Sequence, residues 1–386
     1  MAKIRPSVKF LTFCFFLMFL GYNGVQQYVT VFFAEKGIPF VGFYSLILIY
    51  VFLSVFSPVA GAFVSRYGPK KAMVGAAAFY GVYMLSLLSG SLILVYVGSA
   101  FLGIAAAFLW NGQNVYLIKS SVENTSGRSA GLFTVAISAS AAFGILLVWY
   151  LQRFLSLDTI FLMFSVLPLI SFILFFFLPA VETTNVPNKF RLLKRAILSK
   201  TAMRLSLLWF GLAFISGLAL GFLPLDVKDL FGVSFVGPLS VVFYVIPILF
   251  AYFSGRISDA FGRKPMIVVS FIVCSLSLIV LYFATSLSLM IMGIVLLTTY
   301  YAVTRTITYA LVGDISTSEN LSSLTSLFWA IQNIGTVCAL LVALILAGKG
   351  VYLGSLGFVV VSLVVLYPVL RHSLPEAKEK IEKEMS

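Results

Sequence analysis

The chain has 386 residues, of which 61% are hydrophobic and only 10% are charged, and its mean hydropathy is +1.08. A water-soluble domain does not carry so much apolar surface, so the composition excludes a soluble globular protein and indicates an integral membrane protein. The net charge of +13 would suggest nucleic-acid binding in a soluble protein, but here the distribution of the charges decides what it means.

Long apolar runs follow one another along the whole chain. A helix needs about 20 apolar residues to cross roughly 30 Å of hydrocarbon, whereas a membrane barrel would show short segments of alternating polarity. We therefore predict an all-α integral membrane protein with twelve transmembrane helices. In chain order, the predicted spans cover residues 8–33, 41–64, 72–90, 92–118, 129–151, 158–179, 203–227, 236–254, 266–284, 288–313, 321–347 and 352–370.

Only one connection is long, and it lies between the sixth and seventh spans. It is polar and basic and contains a proline, and it divides the chain near its middle. We predict an N-terminal six-helix half at 1–180, a cytoplasmic linker at 181–202, a C-terminal six-helix half at 203–371 and a cytoplasmic tail at 372–386. The tail mixes charges of both signs, which is typical of a solvated helix. The first apolar run has spanning length, so no cleavable signal peptide is expected.

The positive charges are distributed very unevenly. With the N-terminus inside, most of the 26 Lys and Arg residues fall in cytoplasmic segments. The exceptions are four outside residues, Lys36, Arg153, Lys228 and Lys349, and Arg305 within a span. This asymmetry is the positive-inside pattern. It predicts a multi-pass protein of the cell membrane with both termini cytoplasmic, and it removes the reason to expect a nucleic-acid partner.

One short loop motif occurs in both halves, each time between the second and third spans. GAFVSRYGPKKAMV begins at Gly61 and GRISDAFGRKPMIV begins at Gly255. At one constant offset, Gly68 recurs as Gly262 and Lys70 recurs as Lys264. An internal repeat of six spans is the architecture of many secondary transporters, so the two halves are predicted to be pseudo-symmetric.

These loops resemble the G-x-x-x-D-x-x-G-R-K signature of the major facilitator superfamily. The second copy is nearly complete, with Gly255, Asp259, Gly262, Arg263 and Lys264. The first copy departs from it, because Ser65 replaces the acid and Pro69 replaces the first paired basic residue. The resemblance covers the whole chain and implies the major facilitator fold, but it says nothing about the substrate.

The same resemblance implies a cytoplasmic gate. In the superfamily, each signature loop contacts the start of a helix in the opposite half when the protein is open outward. Asp259 is then expected to face Arg128 at the start of span five, and Arg66 to face the start of span eleven near Glu319. Solvated loop charges are the alternative. The predicted gating residues are Gly61, Arg66, Gly68, Lys70, Arg128, Gly255, Asp259, Gly262, Arg263, Lys264 and Glu319.

A narrower resemblance lies in the first half. The segments NGVQQ (23–27), LWNGQNVYL (109–117) and GRSAGLF (127–133) are similar to the branch named after the "uncoordinated" (Unc-type) regulator proteins of animals. The second half shows no such motif. This resemblance keeps a second function open, that of a non-transporting protein that escorts or regulates another membrane protein.

Polar residues inside the spans occur at helical spacing. In span one, Asn23, Gln26 and Gln27 share one face, and in span eleven Trp329, Gln332 and Asn333 repeat that spacing. Such groups either face a wet cavity or make hydrogen bonds between helices. Together with residues of spans four and ten, they form the predicted substrate site: Asn23, Gln26, Gln27, Trp110, Asn111, Asn114, Tyr301, Arg305, Thr308, Trp329, Gln332 and Asn333.

Arg305 is a permanent cation inside span ten. It lies about 13 Å inward of Asp314 along the helix, and placing an arginine near the bilayer centre costs about 2.5–3.5 kcal/mol. Asp314 is rotated to the opposite face of the helix, and no other span carries a carboxylate at that depth. Arg305 either extends toward the cytoplasmic headgroups or binds the carboxylate or phosphate of a substrate.

The sequence therefore predicts a secondary or facilitative transporter that works by rocker-switch alternating access and is monomeric in the bilayer. Its small-molecule substrate would be polar or anionic, and an exporter of amphipathic drugs is a further alternative. The sequence contains no phosphate-binding loop, catalytic constellation or metal-ligand spacing, so no enzyme activity, metal or cofactor is expected. Cys14, Cys274 and Cys338 all lie in apolar runs.

Overall fold

A computed structural model describes residues 4–120, 126–181, 189–247, 262–317, 320–346, 348–370 and 374–385. These residues form helices and connecting turns and contain no strand, so the predicted all-α class is confirmed. The helices are α1 (Pro6–Glu35), α2 (Pro39–Tyr67), α3 (Pro69–Leu87), α4 (Leu92–Ser120), α5 (Ser126–Leu151), α6 (Leu157–Phe175), α7 (Lys189–Leu198), α8 (Lys200–Leu205), α9 (Leu207–Gly221), α10 (Leu223–Phe231), α11 (Val233–Pro247), α12 (Arg263–Phe283), α13 (Leu287–Ile315), α14 (Leu321–Ile345), α15 (Gly350–Leu370) and α16 (Leu374–Met385).

Ten spans within the described parts of the chain are long and apolar enough to cross a membrane, as expected of a multi-pass membrane protein. They fall on ten of the twelve predicted spans and differ from them by a few residues at each end. The third predicted span lies on α3, whose 19 residues include Lys70 and Lys71 and are therefore less apolar. The eighth begins in α11 and continues into residues outside the described ranges.

The chain divides into two compact units. The first comprises Met1–Val186 together with Gly232–Tyr244, and the second comprises Pro187–Phe231 together with Val245–Ser386. Most of α11 therefore groups with the helices of the first unit. The predicted boundaries at 180, 202 and 371 stay predictions.

In the first unit, α1 packs against α5, α6 and α2, while α4 packs against both α2 and α3. The backbones of α1 and α5 come into direct contact where Gly24 faces Gly144. A methyl group at Gly24 would lie 2.9 Å from the carbonyl oxygen of Gly144, and one at Gly21 would lie 2.7 Å from that of Phe164 in α6. Helices in lipid associate through such close packing, because lipid tails are as apolar as the side chains themselves.

In the second unit, α9 packs along α14, and α12 packs against α13 and α15. The same small-residue contact recurs here, since a methyl group at Gly217 would lie 2.9 Å from the carbonyl oxygen of Thr336. The rings of Trp209 and Phe328 stack with their centroids 4.0 Å apart, which adds an aromatic contact between α9 and α14.

The predicted seventh span is not one continuous helix. Residues 200–231 have spanning length and hydropathy, but they form α8, α9 and α10, with interruptions at Ser206 and Phe222. Pro224 explains the second interruption, because its ring clashes with the carbonyl group four residues earlier and it has no N–H to donate. Pro224 lies in the first turn of α10, where a proline is tolerated.

The two signature loops have the same backbone geometry where the structure describes them. Gly68, between α2 and α3, has φ 98° and ψ 152°, and Gly262, before α12, has φ 89° and ψ 155°. This region is accessible essentially to glycine alone. The sequence repeat of Gly68 and Gly262 is therefore a repeat of one tight turn.

The C-terminal helix α16 differs from the expectation of a solvated tail. Ala377, Ile381 and Met385 are at most 5% exposed, and α16 packs against α13, α7 and α8. The four-residue spacing of these side chains places them on one face, which the charge pattern obscured in the sequence. This face attaches α16 to the second unit.

The end of α16 caps the beginning of α8. One carboxylate oxygen of Glu384 accepts from the Ser199 hydroxyl at 2.5 Å and from the Thr201 N–H at 3.0 Å, and the other accepts from the Thr201 hydroxyl at 3.0 Å. Partial burial disfavours the charged form of Glu384, but these hydrogen bonds outweigh that effect and hold its pKa below the ordinary value.

We predict that Gly68→Ala and Gly262→Ala each destabilise the protein by about 1–3 kcal/mol, because alanine is strained at this φ and ψ. Gly75→Ala is the control, since Gly75 lies inside α3 with open space around it and alanine favours a helix. Thermal unfolding in detergent measures the difference. Equal melting temperatures for the Gly68 and Gly75 variants would contradict the assigned turn.

We predict that Glu384→Gln loosens α16, with about fivefold faster amide exchange at 374–385, because losing a capping acceptor costs about 1 kcal/mol. Glu379→Gln is the matched control, since Glu379 pairs with Lys383 at 2.7 Å on the exposed face. The folded pKa of Glu384 is lowered, so its stabilisation is present above the ordinary carboxyl pKa and is lost as pH falls through the folded value. Docking that stays unchanged at acidic pH would refute the role of this carboxylate.

Candidate functional site

In the first unit, the polar stripe of α1 makes hydrogen bonds with two neighbouring helices. The Gln26 amide nitrogen donates to the Tyr50 hydroxyl of α2 at 3.3 Å. The Gln27 side chain is 2% exposed. It donates to the Ser240 hydroxyl of α11 at 3.2 Å and accepts from the Tyr244 hydroxyl at 3.2 Å. In this conformation Gln27 therefore joins α1 to α11 within the first unit.

The polar patterns in the sequence did not predict Tyr50, Ser240 and Tyr244 as partners of α1. Ser240 and Tyr244 lie four residues apart and share one face of α11, which is a signal that the sequence does contain. Tyr50 is a single polar group in an otherwise apolar part of α2, so nothing in its local pattern singles it out. Their hydrogen bonds to the α1 stripe became visible only in the folded unit.

Trp110 on α4 lies in an aromatic cluster. Its ring centroid is 5.2 Å from that of Phe19 and 5.8 Å from that of Phe15, both on α1. Phe19 in turn contacts Tyr80 of α3 at 5.5 Å. These rings fill the space between α1, α3 and α4, so Trp110 contributes to packing as well as standing beside the polar residues of α4.

The asparagines predicted for the site occupy different environments. The Asn111 amide nitrogen donates to the carbonyl oxygen of Ala107 in its own helix at 2.8 Å. Its amide oxygen faces Gly61 of α2, 3.7 Å from where a methyl group there would lie. Asn23 is half-buried, whereas Asn114 is exposed on α4. The α4 residues are therefore not gathered at one point.

In the second unit, Arg305 is half-buried on α13. One terminal guanidinium nitrogen donates to the Tyr301 hydroxyl at 3.4 Å, and the guanidinium carbon lies 5.8 Å from the centroid of the Tyr301 ring. Thr308 donates to the carbonyl oxygen of Arg305 at 2.9 Å. Tyr301 lies one helical turn before Arg305 on the same helix and thus positions its guanidinium. The three predicted residues Tyr301, Arg305 and Thr308 therefore lie together on α13.

The α14 residues form a second polar face of the same unit. The Asn333 amide nitrogen donates to the carbonyl oxygen of Trp329 at 3.0 Å, an internal bond of the kind that Asn111 makes in α4. Thr336 donates to the carbonyl oxygen of Ala213 in α9 at 3.3 Å. Gln332 and Trp329 are half-buried.

Asp314 at the end of α13 pairs with one of the predicted gating residues. The Arg263 Nε atom lies 3.2 Å from the Asp314 carboxylate, and neither side chain is more than 35% exposed. The bond joins the first turn of α12 to the last turn of α13 within the second unit. It gives Arg263 a partner that the sequence analysis did not anticipate.

The other gating predictions are only partly covered by the structure. Gly255, Asp259 and Glu319 lie outside the described residues, and the side chain of Arg128 does as well. Arg66 is exposed, with its guanidinium 5.2 Å from the Tyr67 ring. Lys70 and Lys264 are half-buried at the starts of α3 and α12. The proposed gate therefore stays a prediction.

A buried acid joins two helices of the second unit. Asp226 of α10 is 8% exposed and accepts from the Tyr352 hydroxyl of α15 at 2.7 Å. This bond satisfies a carboxylate that would be costly to bury alone. Among the described residues, no group of three or more His, Cys, Asp or Glu side chains is arranged to hold a metal ion.

Two family models match the chain, and together they cover most of it. The model described as "Ion channel regulatory protein UNC-93" matches residues 36–223, which extends the Unc-type resemblance past the first half. The model described as "Major Facilitator Superfamily" matches residues 205–385.

Solved transporter structures superpose on nearly the whole chain. A peptide transporter POT in complex with sulfate aligns with a TM-score of 0.77 at 10% identity, over 97% of this chain and 95% of that one. The nucleoside transporter NupG aligns with a TM-score of 0.68 at 14% identity, over 94% and 99%. The chain has the major facilitator fold, with an UNC-93-like region. The resemblance that the signature loops carry is thus confirmed.

Curated relatives match shorter stretches. UNC93-like protein MFSD11 of Xenopus laevis is 29% identical over 150 residues, which make up 37% of this chain and 34% of that protein. UNC93-like protein 3 of Arabidopsis thaliana is 31% identical over 126 residues, which make up 33% and 26%. The chain therefore spans about a third or less of the length of the curated relatives it matches.

We predict that Gln27→Leu and Tyr244→Phe each lower the melting temperature of the protein, because each leaves a buried hydrogen-bonding group without its partner. A double-mutant cycle should give a coupling energy of about 0.6 kcal/mol, the usual scale inside membranes. Tyr44→Phe is the control, since Tyr44 is 45% exposed on α2, and it should show no coupling to Gln27. A coupling of zero between Gln27 and Tyr244 would show that this bond contributes nothing.

Proposed function

We propose that this protein is a secondary active or facilitative membrane transporter of a small polar or anionic solute. The major facilitator fold supports membrane transport in general. As the superfamily resemblance implies, transport would proceed by rocker-switch alternating access. The positive-inside pattern supports a multi-pass protein of the cell membrane with both termini in the cytoplasm.

The polar residues in the spans support a small polar solute. Membrane-embedded polar groups carry a desolvation cost, yet α1, α4, α13 and α14 each hold several of them. Some are engaged in helix packing, such as Gln27 with Ser240. Others lie half-buried, such as Asn23, Gln332 and Arg305. The half-buried groups are the ones we propose for solute contact.

The half-buried position of Arg305 on a spanning helix is the single observation that favours an anionic group on the solute. Its guanidinium keeps a full positive charge at any physiological pH and presents N–H donors in a planar fork that matches carboxylate or phosphate oxygens. Tyr301 holds that fork at one position on α13. Thr308 is buried and donates to the Arg305 carbonyl oxygen, so it would support this site without contacting the solute.

The two alternatives from the sequence gain less support. The comparisons do not favour a non-transporting escort or regulatory protein. The phrase "ion channel regulatory" describes the matching family model, and it does not by itself assign that role to this chain. Drug export would suit an apolar site, whereas the residues proposed here are predominantly amides, hydroxyls and a cation.

We predict that Arg305→Lys weakens binding of the solute and that Arg305→Gln weakens it further, by at least tenfold, because the lysine keeps the charge but loses the fork. A thermal-shift screen of purified protein against anionic, neutral and cationic metabolites, at two pH values, identifies the solute class. Uptake of the best stabilising compound into proteoliposomes then measures transport in each variant.

Arg153→Gln is the matched control. The Arg153 guanidinium lies 4.5 Å from the centroid of the Trp149 ring. Like Arg305 and Tyr301, Arg153 and Trp149 are an arginine and an aromatic residue four positions earlier, but Arg153 is exposed just beyond the end of α5. Its removal should leave the apparent affinity unchanged. An Arg305→Gln variant with unchanged affinity, or a solute that proves to be cationic, would refute the anionic proposal. A protein that binds but moves no solute would refute transport itself.

A further inference from the structure

The first unit contains a groove that neither the predicted solute site nor the gate explains. It lies between α2, α3 and α4 and has a volume of about 250 Å³. Its floor is built from small residues, Ala72, Gly75 and Ala76 of α3 and Ala105 of α4. A methyl group added at Gly75 would meet no atom within 4 Å, so the groove is open at that point.

Phenylalanine pairs form the walls. Phe63 of α2 and Phe108 of α4 meet edge to face with centroids 5.2 Å apart. Phe79 of α3 and Phe101 of α4 stack at 5.9 Å. Phe101 is 50% exposed, so this wall faces the surroundings of the unit. In a membrane-spanning region, those surroundings are lipid chains.

The groove is apolar along its length and positively charged at one end. Lys71, in the first turn of α3, is exposed and lines it. The segment that ends at Lys71, SRYGPKK at 65–71, carries Arg66 and Lys70 as well and contains no acid. Phe79 lies eight residues further along α3, about 12 Å deeper. The groove therefore extends from a basic membrane boundary into the hydrocarbon.

An apolar groove that begins at a cluster of cations matches the chemistry of an amphipathic anion. We propose that this groove binds a phospholipid with an anionic headgroup, with one acyl chain along the Ala and Gly floor and the headgroup phosphate at Lys71. The lipid would belong to the bilayer leaflet on the side of Lys71, which the charge distribution predicts to be the cytoplasmic side. Basic residues beside a membrane surface attract anionic lipids.

The experiment uses the purified 386-residue protein and a phospholipid with a photoreactive diazirine in the middle of one acyl chain. Two versions carry either a phosphatidylglycerol or a phosphatidylcholine headgroup. After illumination, mass spectrometry locates the labelled residues. We expect the anionic lipid to label the facing segments of α3 and α4 more strongly than the zwitterionic lipid.

Variants at two positions distinguish the headgroup contact from the acyl-chain contact. Lys71→Gln should reduce labelling by the anionic lipid about fivefold and hardly change labelling by the zwitterionic one, whereas Lys71→Arg should retain it. Gly75→Leu should abolish labelling in the groove with either headgroup, because its side chain fills the open space. The leucine is also a better helix former than glycine, so the variant is expected to fold.

Matched controls occupy other parts of the chain. Lys9→Gln removes an exposed cation near the start of α1, and Gly357→Leu adds a side chain where α15 also has open space. Both should label like the unchanged protein. Unchanged labelling of α3 and α4 in Gly75→Leu would overturn the proposal, and so would equal labelling by the two headgroups.

Other molecules that could occupy the groove are distinguished by further measurements. If inorganic phosphate or glycerol phosphate displaces the anionic lipid, the site recognises a free anion and the acyl-chain part is wrong. If a photoreactive amino acid in place of Gly75 crosslinks α3 to a second copy of the protein and not to lipid, the groove is a protein interface. Displacement by added unlabelled anionic phospholipid, and not by these water-soluble phosphates, would support the assignment.

Discussion

Backbone contact between α1 and α5 at Gly24 and Gly144 is the constraint on which the first unit depends. In lipid, association of helices gains little from burying apolar side chains, so it relies on close packing. A methyl group at Gly24 would lie within 2.9 Å of the Gly144 carbonyl oxygen. Because the helices approach this closely, α1 is enclosed, and its amides must find partners on the helices around it.

The polar groups of α1 follow from that enclosure. Gln26 reaches Tyr50 of α2, and Gln27 reaches Ser240 and Tyr244 of α11. In α4 and α14, by contrast, Asn111 and Asn333 each return a hydrogen bond to a carbonyl group four residues earlier in the same helix. The first arrangement ties helices together, while the second leaves the amide oxygen available for another contact.

The charged residues differ in what they contact. Arg263 binds Asp314 and joins α12 to α13, and Glu384 accepts the hydrogen bonds that fix α16 to the start of α8. Lys36 binds Asp158 at 2.7 Å and joins the end of α1 to the start of α6. Arg305 differs, because it contacts an aromatic hydroxyl within its span. That difference, together with its place inside the membrane, makes it the residue proposed for an anion.

The sequence by itself determined the membrane class, the all-helical fold and the approximate positions of ten of the twelve predicted spans, because in hydrocarbon the backbone must satisfy its own hydrogen bonds and apolar length fixes each helix. It also determined the twin turns, since only glycine readily adopts the φ and ψ of Gly68 and Gly262. Only the tertiary structure decided the partners of Gln27, Asp314 and Glu384. Those partners are remote in sequence, and hydrophobic periodicity records which face of a helix is apolar but not which helix it meets. The docking of α16 was hidden for the same reason: its three buried residues are visible in the sequence, but the surface that buries them is assembled from α7, α8 and α13.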